Sequence, residues 1–463
     1  MDKISKLRRK PKPPTIETSL DRHAPAEPPY EIEDTGPEPD GRTVQRAPMM
    51  PSRLSPFRRL RGSAKRARSS SPATGQPVHG VAAVVGKDGM PSASRGTSRR
   101  VPKMPYFLKS SDYENAIKFQ DIQFDEQERT QEGMRSGGGD SVMWTLHKQT
   151  NAHDKGLMDR YPNIRPWNHN RVRLRVPPGE FEYVNASTIE LFSSDSSQLP
   201  LQYIAMQGPT APSFDYVWRM IAEQTSPPAV IVQLTTMTEG ISEKCGQYFP
   251  PTLEEPTWSL NADNKWGDDW AATLTFDSLE ESADGAIEKR KLLLHVEGEA
   301  EPRVVWHFLY LRWPDFGTPS LADMDSFFEL MKLSREHNNT SSPRIIHCSA
   351  GVGRTGTFIC LEHLMRELEI GAFSHLDADD EDLDLIYSTV DTLRQQRRVM
   401  VQSVEQYKFI YNVMRKFWQE KYGEVDTGLR NGEPASKRLE VADPFVESNG
   451  GSSPGSDAGS ARR

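Results

Sequence analysis

All nine tryptophans of the 463-residue chain lie between Trp144 and Trp418, and all three cysteines lie between Cys245 and Cys360. The first 100 residues hold 14 of the 35 prolines but only two aromatic residues, Tyr30 and Phe57. That segment lacks the apolar surface needed to offset the chain entropy lost on packing. Residues 1–103 are therefore expected to form a disordered basic tail rich in Pro, Ser and Arg, residues 104–420 a folded body, and residues 421–463, which run through Gly, Ser, Asp and Pro, a second disordered polar tail. A body of about 310 residues is large but feasible as one domain. Charge divides the same way: residues 1–100 carry 20 Lys+Arg against 10 Asp+Glu, a net of +10, which leaves −18 for the rest of a chain totalling −8.

Several classes fall away on composition. The opening MDKISKLRRKPKPP has charge and proline but no apolar core, and no run approaches the roughly 18 apolar residues of a membrane span. Neither secretion nor a membrane span is expected, and no myristoyl or prenyl signal stands at either end. Three widely spaced cysteines make neither a disulfide framework nor a zinc pattern, which fits a reducing cytoplasmic or nuclear compartment. The acids Asp377, Asp379, Asp380, Glu381, Asp382 and Asp384 suggest calcium, but an EF-hand begun at Asp377 would need Gly and Glu where the chain has Asp382 and Ser388. A solvated acidic loop is expected there, and no metal or cofactor. The basic tail leaves several readings open: nuclear localisation, an electrostatic membrane or nucleic-acid contact, a docking and phosphorylation platform using Ser55-Pro56 and Ser71-Pro72, or a plain solvated linker.

Within the body two apolar periods alternate. Val304–Tyr310 and Ala229–Leu234 read as central strands. Helical spacing joins Leu321, Met324, Phe328 and Met331, then Phe358, Leu361, Met365 and Leu368, then Tyr407, Ile410, Met414 and Phe417. Such mixing indicates an α/β or α+β domain.

The chemistry concentrates in Ile345-Ile346-His347-Cys348-Ser349-Ala350-Gly351-Val352-Gly353-Arg354-Thr355-Gly356, an apolar strand running into a glycine-rich turn and then a helix. A Cys with Arg six residues later is weak by itself; Cys360 and Arg366 repeat that spacing across plain amphipathic helix. What distinguishes Cys348 is the glycines at 351, 353 and 356. They allow positive φ and close approach, so successive N–H groups can converge on one anion at a helix start. A thiol at the base of such a cradle would be held as thiolate by those N–H groups, the helix dipole and nearby His347 and Arg354. Arg354 adds a planar fork for two phosphate oxygens. The bland alternative, a buried Cys beside a glycine turn, leaves the rest of the string unexplained.

This string resembles the signature of the protein tyrosine phosphatase superfamily, in its phosphotyrosine-specific, non-receptor branch. The resemblance implies a twisted mixed β-sheet flanked by helices, with residues 104–420 as the catalytic domain. It implies Cys348 as nucleophile, a phosphate-binding turn of Ser349, Ala350, Gly351, Val352 and Gly353, Arg354 as clamp, and Thr355 bonded to the sulfur. Trp313-Pro314-Asp315-Phe316-Gly317 is similar to the family's acid loop, which makes Asp315 the proton donor to the tyrosine oxygen and then the base for the hydrolytic water. Arg397 through Tyr407 resembles the water-positioning loop, with Gln402 orienting the water and Gln406 supporting it. Glu239 and Lys244 match the loop that braces the arginine and meets the acid loop. Tyr161 matches the aromatic wall for a phosphotyrosine ring. Asn163 stands where animal members commonly carry Asp, and the combination resembles fungal intracellular members. Residues 251–285 read as a variable insertion without assigned chemistry.

The implied activity is hydrolysis of phosphotyrosine in proteins through a cysteinyl-phosphate, by a monomer without cofactor or nucleic acid, with a MAP kinase as the substrate that fungal analogy suggests. The alternatives are a catalytically silent phosphotyrosine-binding scaffold, disfavoured because Cys348, Arg354 and Asp315 are all present, and a shallow-site phosphatase for phosphoserine or lipid, disfavoured by Tyr161.

Overall fold

The computed structural model describes residues 102–135, 143–147, 157–282, 284–314 and 317–423. Among them run strands β1 (Arg171–Arg173), β2 (Tyr183–Leu191), β3 (Leu201–Met206), β4 (Ala229–Gln233), β5 (Thr238–Glu239), β6 (Ser242–Glu243), β7 (Thr257–Leu260), β8 (Ala272–Glu281), β9 (Ile287–Val296), β10 (Arg303–Tyr310) and β11 (Arg344–His347). The helices are α1 (Tyr106–Lys109), α2 (Asp112–Arg135), α3 (Phe214–Gln224), α4 (Met324–Glu336), α5 (Gly353–Glu369), α6 (Leu385–Gln396) and α7 (Val404–Tyr422). The two expected tails lie outside the described residues apart from 102–103 and 421–423, and α7 continues through Lys421 to Tyr422.

Nine strands form one mixed sheet in the order β1-β2-β3-β11-β4-β10-β9-β8-β7, with β5 and β6 pairing separately. The centre, β3-β11-β4-β10, is parallel, and the pairs on both flanks are antiparallel. A parallel centre must be covered on both faces, and every residue of β4 and of β11 is buried. Side chains alternate accordingly. Val230, Val232 and Ile346 join the core formed with Phe107, Phe119, Phe327, Phe358, Leu393 and Tyr407, whereas Ala229, Ile231 and Ile345 face Trp218 of α3 and the aromatic residues Tyr248 and Trp266. Helix α5 is buried around almost its whole circumference, as befits a helix between the sheet and a further layer of helices.

The structure departs from the sequence reading in three places. Leu321 is 81% exposed; it lies in a short 3₁₀ turn before α4, whose buried face runs through Met324, Phe327, Phe328 and Met331. Residues 251–285 include all of β7 and β8, so they extend the sheet rather than loop out of it. Their Trp266 is buried and donates to Phe181 O at 3.1 Å, with the Arg219 guanidinium 4.6 Å from its ring centroid. Of the acidic run, Asp384 is not solvated. Its buried carboxylate caps α6 by accepting from Ile386 and Tyr387 N–H, and also accepts from Tyr411 Oη at 2.6 Å and Lys118 Nζ at 2.7 Å.

One buried ion pair ties the strand that ends at Cys348 to the helix that follows it. Arg344 of β11 donates to Glu362 of α5 at 2.7 Å and to Ser334 Oγ at 2.8 Å, while Tyr203 Oη donates to the other oxygen of Glu362 at 2.9 Å. Removing one partner of such a pair leaves an uncompensated buried charge. Glu362→Ala should therefore lower unfolding free energy by about 3–5 kcal/mol in urea titrations, whereas Leu321→Ala should stay within about 0.5 kcal/mol.

Candidate active site

Cys348 follows β11 directly, and the turn 349–352 delivers the chain to Gly353 at the start of α5. Gly351 takes φ +70°, and a Cβ there would stand 1.9 Å from Met206 O. No side chain fits. At Gly356 a Cβ would meet Val401 N at 2.5 Å, and at Gly353 it would stand 3.1 Å from both Gln402 Oε1 and Gln406 Oε1. The glycines thus serve close approach to β3 and to the loop after α6.

Every carbonyl of the turn is held from outside. Ser349 O accepts from Gly208 N at 2.8 Å, Ala350 O and Gly351 O accept from Arg397 at 3.2 and 2.9 Å, and Val352 O accepts from Gly356 N and Val401 N. A trans peptide puts its N–H opposite its C=O. Fixing these carbonyls outward turns the N–H groups of Ala350, Gly351, Val352 and Gly353 the other way, which makes an anion-binding nest over Cys348.

Around that nest Tyr161, Asn163, Lys244, Cys348, Ser349, Ala350, Gly353, Arg354, Gln402 and Gln406 line one cavity of about 220 Å³. Tyr161 Oη lies 2.8 Å from Ser349 Oγ. Arg354 is buried, with Nη1 donating to Leu234 O at 3.0 Å and both terminal nitrogens engaging Glu239 at 2.5 and 2.9 Å. Gln406 Oε1 accepts from Gln402 N at 3.1 Å, and Ser403 caps α7 by accepting from Gln406 N at 3.2 Å. Trp313 Nε1 donates to Gly317 O at 2.9 Å; Asp315 and Phe316 between them lie outside the described residues.

Two expectations change in detail. His347 is fully buried, and desolvation pushes its pKa down to about 4, so near pH 7 the ring is neutral and adds no charge beside the sulfur. Its Nδ1 lies 3.2 Å from Cys348 O and its Nε2 2.9 Å from Tyr248 Oη. The neutral tautomer that donates to the carbonyl accepts from the tyrosine, which fixes the backbone of Cys348. The buried Thr355 hydroxyl has no hydrogen-bond partner among the described residues, the Cys348 sulfur included; a thiol is a weak acceptor.

Against this geometry stand the comparisons. The sequence pattern of the protein-tyrosine phosphatase family matches residues 157–416. The chain belongs to that family. As a protein tyrosine phosphatase it is 31% identical over 330 residues to tyrosine-protein phosphatase 1 of Saccharomyces cerevisiae, across 67% of this chain and 96% of the yeast protein. It is 34% identical over 295 residues to human receptor-type tyrosine-protein phosphatase C, but spans 20% of that protein's length. The catalytic domain of human protein tyrosine phosphatase non-receptor type 18 shares the fold, with a TM-score of 0.50 and 23% identity over 66% of this chain and 96% of that one.

The residue of this phosphatase site that sequence reasoning passed over is Arg397. It is completely buried and also reaches Asn185 Oδ1 at 2.8 Å and Ser187 Oγ at 3.3 Å. Burial lowers its pKa to about 10, which still leaves it charged near neutral pH. The string Arg397 through Tyr407 that resembles the water-positioning loop opens on it, but the resemblance assigned it no role of its own.

The three thiols of the phosphatase differ in setting. Burial pushes the Cys245 and Cys360 thiols up, so both stay protonated, while Cys348 faces the cavity. Mild peroxide should therefore place the first oxygen on Cys348 in peptide mass spectra, and Cys245 or Cys360 should remain reduced. Gly351→Ala should lower kcat/KM by about a hundredfold or more in steady-state assays, because the nest shifts by the order of 1 Å.

Proposed function

We propose that this phosphatase hydrolyses phosphotyrosine in proteins through a cysteinyl-phosphate formed on Cys348. The observation that carries the reading is the turn 349–352 with its carbonyls held outward, so that Cys348 and the arginine that Glu239 braces face one cavity. Three phosphate oxygens find backbone N–H groups and the Arg354 fork, which oppose the charge that builds as the thiolate attacks phosphorus.

In the first step the sulfur–phosphorus bond forms and the bond to the tyrosine oxygen breaks. Asp315 gives its proton to that oxygen, since a phenolate is otherwise a poor leaving group. In the second step Gln402, held by Gln406, orients a water whose oxygen bonds phosphorus as the sulfur–phosphorus bond breaks; Asp315 takes its proton, inorganic phosphate leaves, and the Thr355 hydroxyl, otherwise unpartnered among the described residues, turns to donate to the departing thiolate. Lys244 at the cavity wall favours the dianionic substrate. Tyr161 forms the side against which an aromatic ring lies, and Asn163 offers an uncharged amide to the peptide flanking the phosphotyrosine.

Purified full-length protein should cleave p-nitrophenyl phosphate. Cys348→Ser should abolish turnover yet retain phosphotyrosyl peptide in a binding assay. Asp315→Ala should depress kcat far more than KM, because its proton moves only in the transition state. Full activity in Cys348→Ser would overturn the assignment.

A further inference from the structure

The loop that carries Gln402 is held in an unfavourable backbone shape. Val399 and Val401 adopt φ of +63° and +57°, the left-handed region that β-branched residues avoid. What holds them comes from far upstream in the sequence. Glu126 on α2 is buried, and its carboxylate accepts the Val399 N–H at 2.8 Å. It also lies 3.7 Å from Arg394 Nη1, and Arg394 in turn donates to Met400 O and Val401 O, both at 3.0 Å. One carboxylate thus fixes residues 399, 400 and 401 immediately before Gln402. Helix α2 lies before the matched residues 157–416, and Glu126 continues the line of inward positions Asn115, Phe119 and Ile122, where packing alone would favour an apolar side chain.

We propose that Glu126 is a positioning residue for the second half-reaction: through Val399 and Arg394 it sets the loop that places Gln402, and hence the hydrolytic water. This rests on the reading of Gln402 given above. Without the carboxylate, Val399 relaxes toward an ordinary φ value and Gln402 loses its place, while Val352 O keeps the Gly356 N–H, Ala350 O and Gly351 O keep Arg397, and Arg354 keeps Glu239, so the nest holds. The first half-reaction fixes kcat/KM once the phenol has left; the second then limits kcat.

The test uses full-length protein and p-nitrophenyl phosphate. Glu126→Ala should lower kcat and KM together by about tenfold with kcat/KM within about twofold, and rapid mixing should show a burst of one p-nitrophenol per enzyme at the wild-type rate. Glu126→Gln, which keeps an acceptor for Val399 but not the charge for Arg394, should lose about threefold. If kcat/KM falls as far as kcat in both variants, or if neither parameter changes, Glu126 is structural and the proposal fails. Gln402→Ala separates the two readings. If it slows the second step and Glu126→Ala does not, only the role of Glu126 is overturned; if Gln402→Ala leaves the second step intact, the reading of Gln402 falls and the proposal with it.

Discussion

The site depends on four backbone carbonyls being kept away from the phosphate. A four-residue turn collapsing onto an anion has two polar edges, and only one can face the charge. Here the carbonyl edge is satisfied from behind by Gly208, Arg397, Gly356 and Val401, so the donor edge faces the cavity before any ligand arrives. Preorganisation of this kind removes the reorganisation cost from the reaction itself. It also explains why so much polar side chain is buried under the turn: Asn185 and Ser187 of β2 orient Arg397, and Tyr248 orients His347.

The same requirement shapes the sheet. Cys348 must stand at the end of a strand covered on both faces, with a helix start directly beyond it, and the parallel centre β3-β11-β4-β10 supplies that crevice at the carboxyl ends of its strands. Leu234 N donates to His347 O at 2.8 Å, and Gly208 N to Ser349 O, so the segments leaving β4 and β3 extend the sheet pairing past β11 and into the turn. Cys348 is therefore as firmly placed as a residue inside the sheet, although it belongs to a loop.

How much of this was legible depended on whether a residue's task left a local mark. The glycines around Cys348 did so, because close approach and positive φ exclude other residue types. Tyr161, Asn163, Lys244, Gln402 and Gln406, scattered over 245 positions of sequence, meet in one cavity, but only likeness to a family could group them beforehand. The buried roles of Arg397, Glu126 and Asp384 left no local mark. Each is a charged residue in a helix or at its end, where the ordinary assumption is solvent, and each is buried because its partner lies more than a hundred positions away: Asn185 for Arg397, Val399 for Glu126, Lys118 for Asp384. Leu321 erred the other way, since helical spacing cannot tell a last inward position from a residue just before the helix begins.

Lys118 and Glu126 both point from α2 into the body, one to the cap of α6 and the other to the loop between α6 and α7, while Phe107 and Phe119 join its main core. The family match begins at residue 157, which therefore falls inside a packed unit rather than at its edge. A polypeptide cut there would keep every residue that lines the cavity yet leave Asp384 and Arg394 without the countercharges provided by α2. Among the described residues, the packing that steadies the site therefore takes in α1 and α2 as well as the matched span.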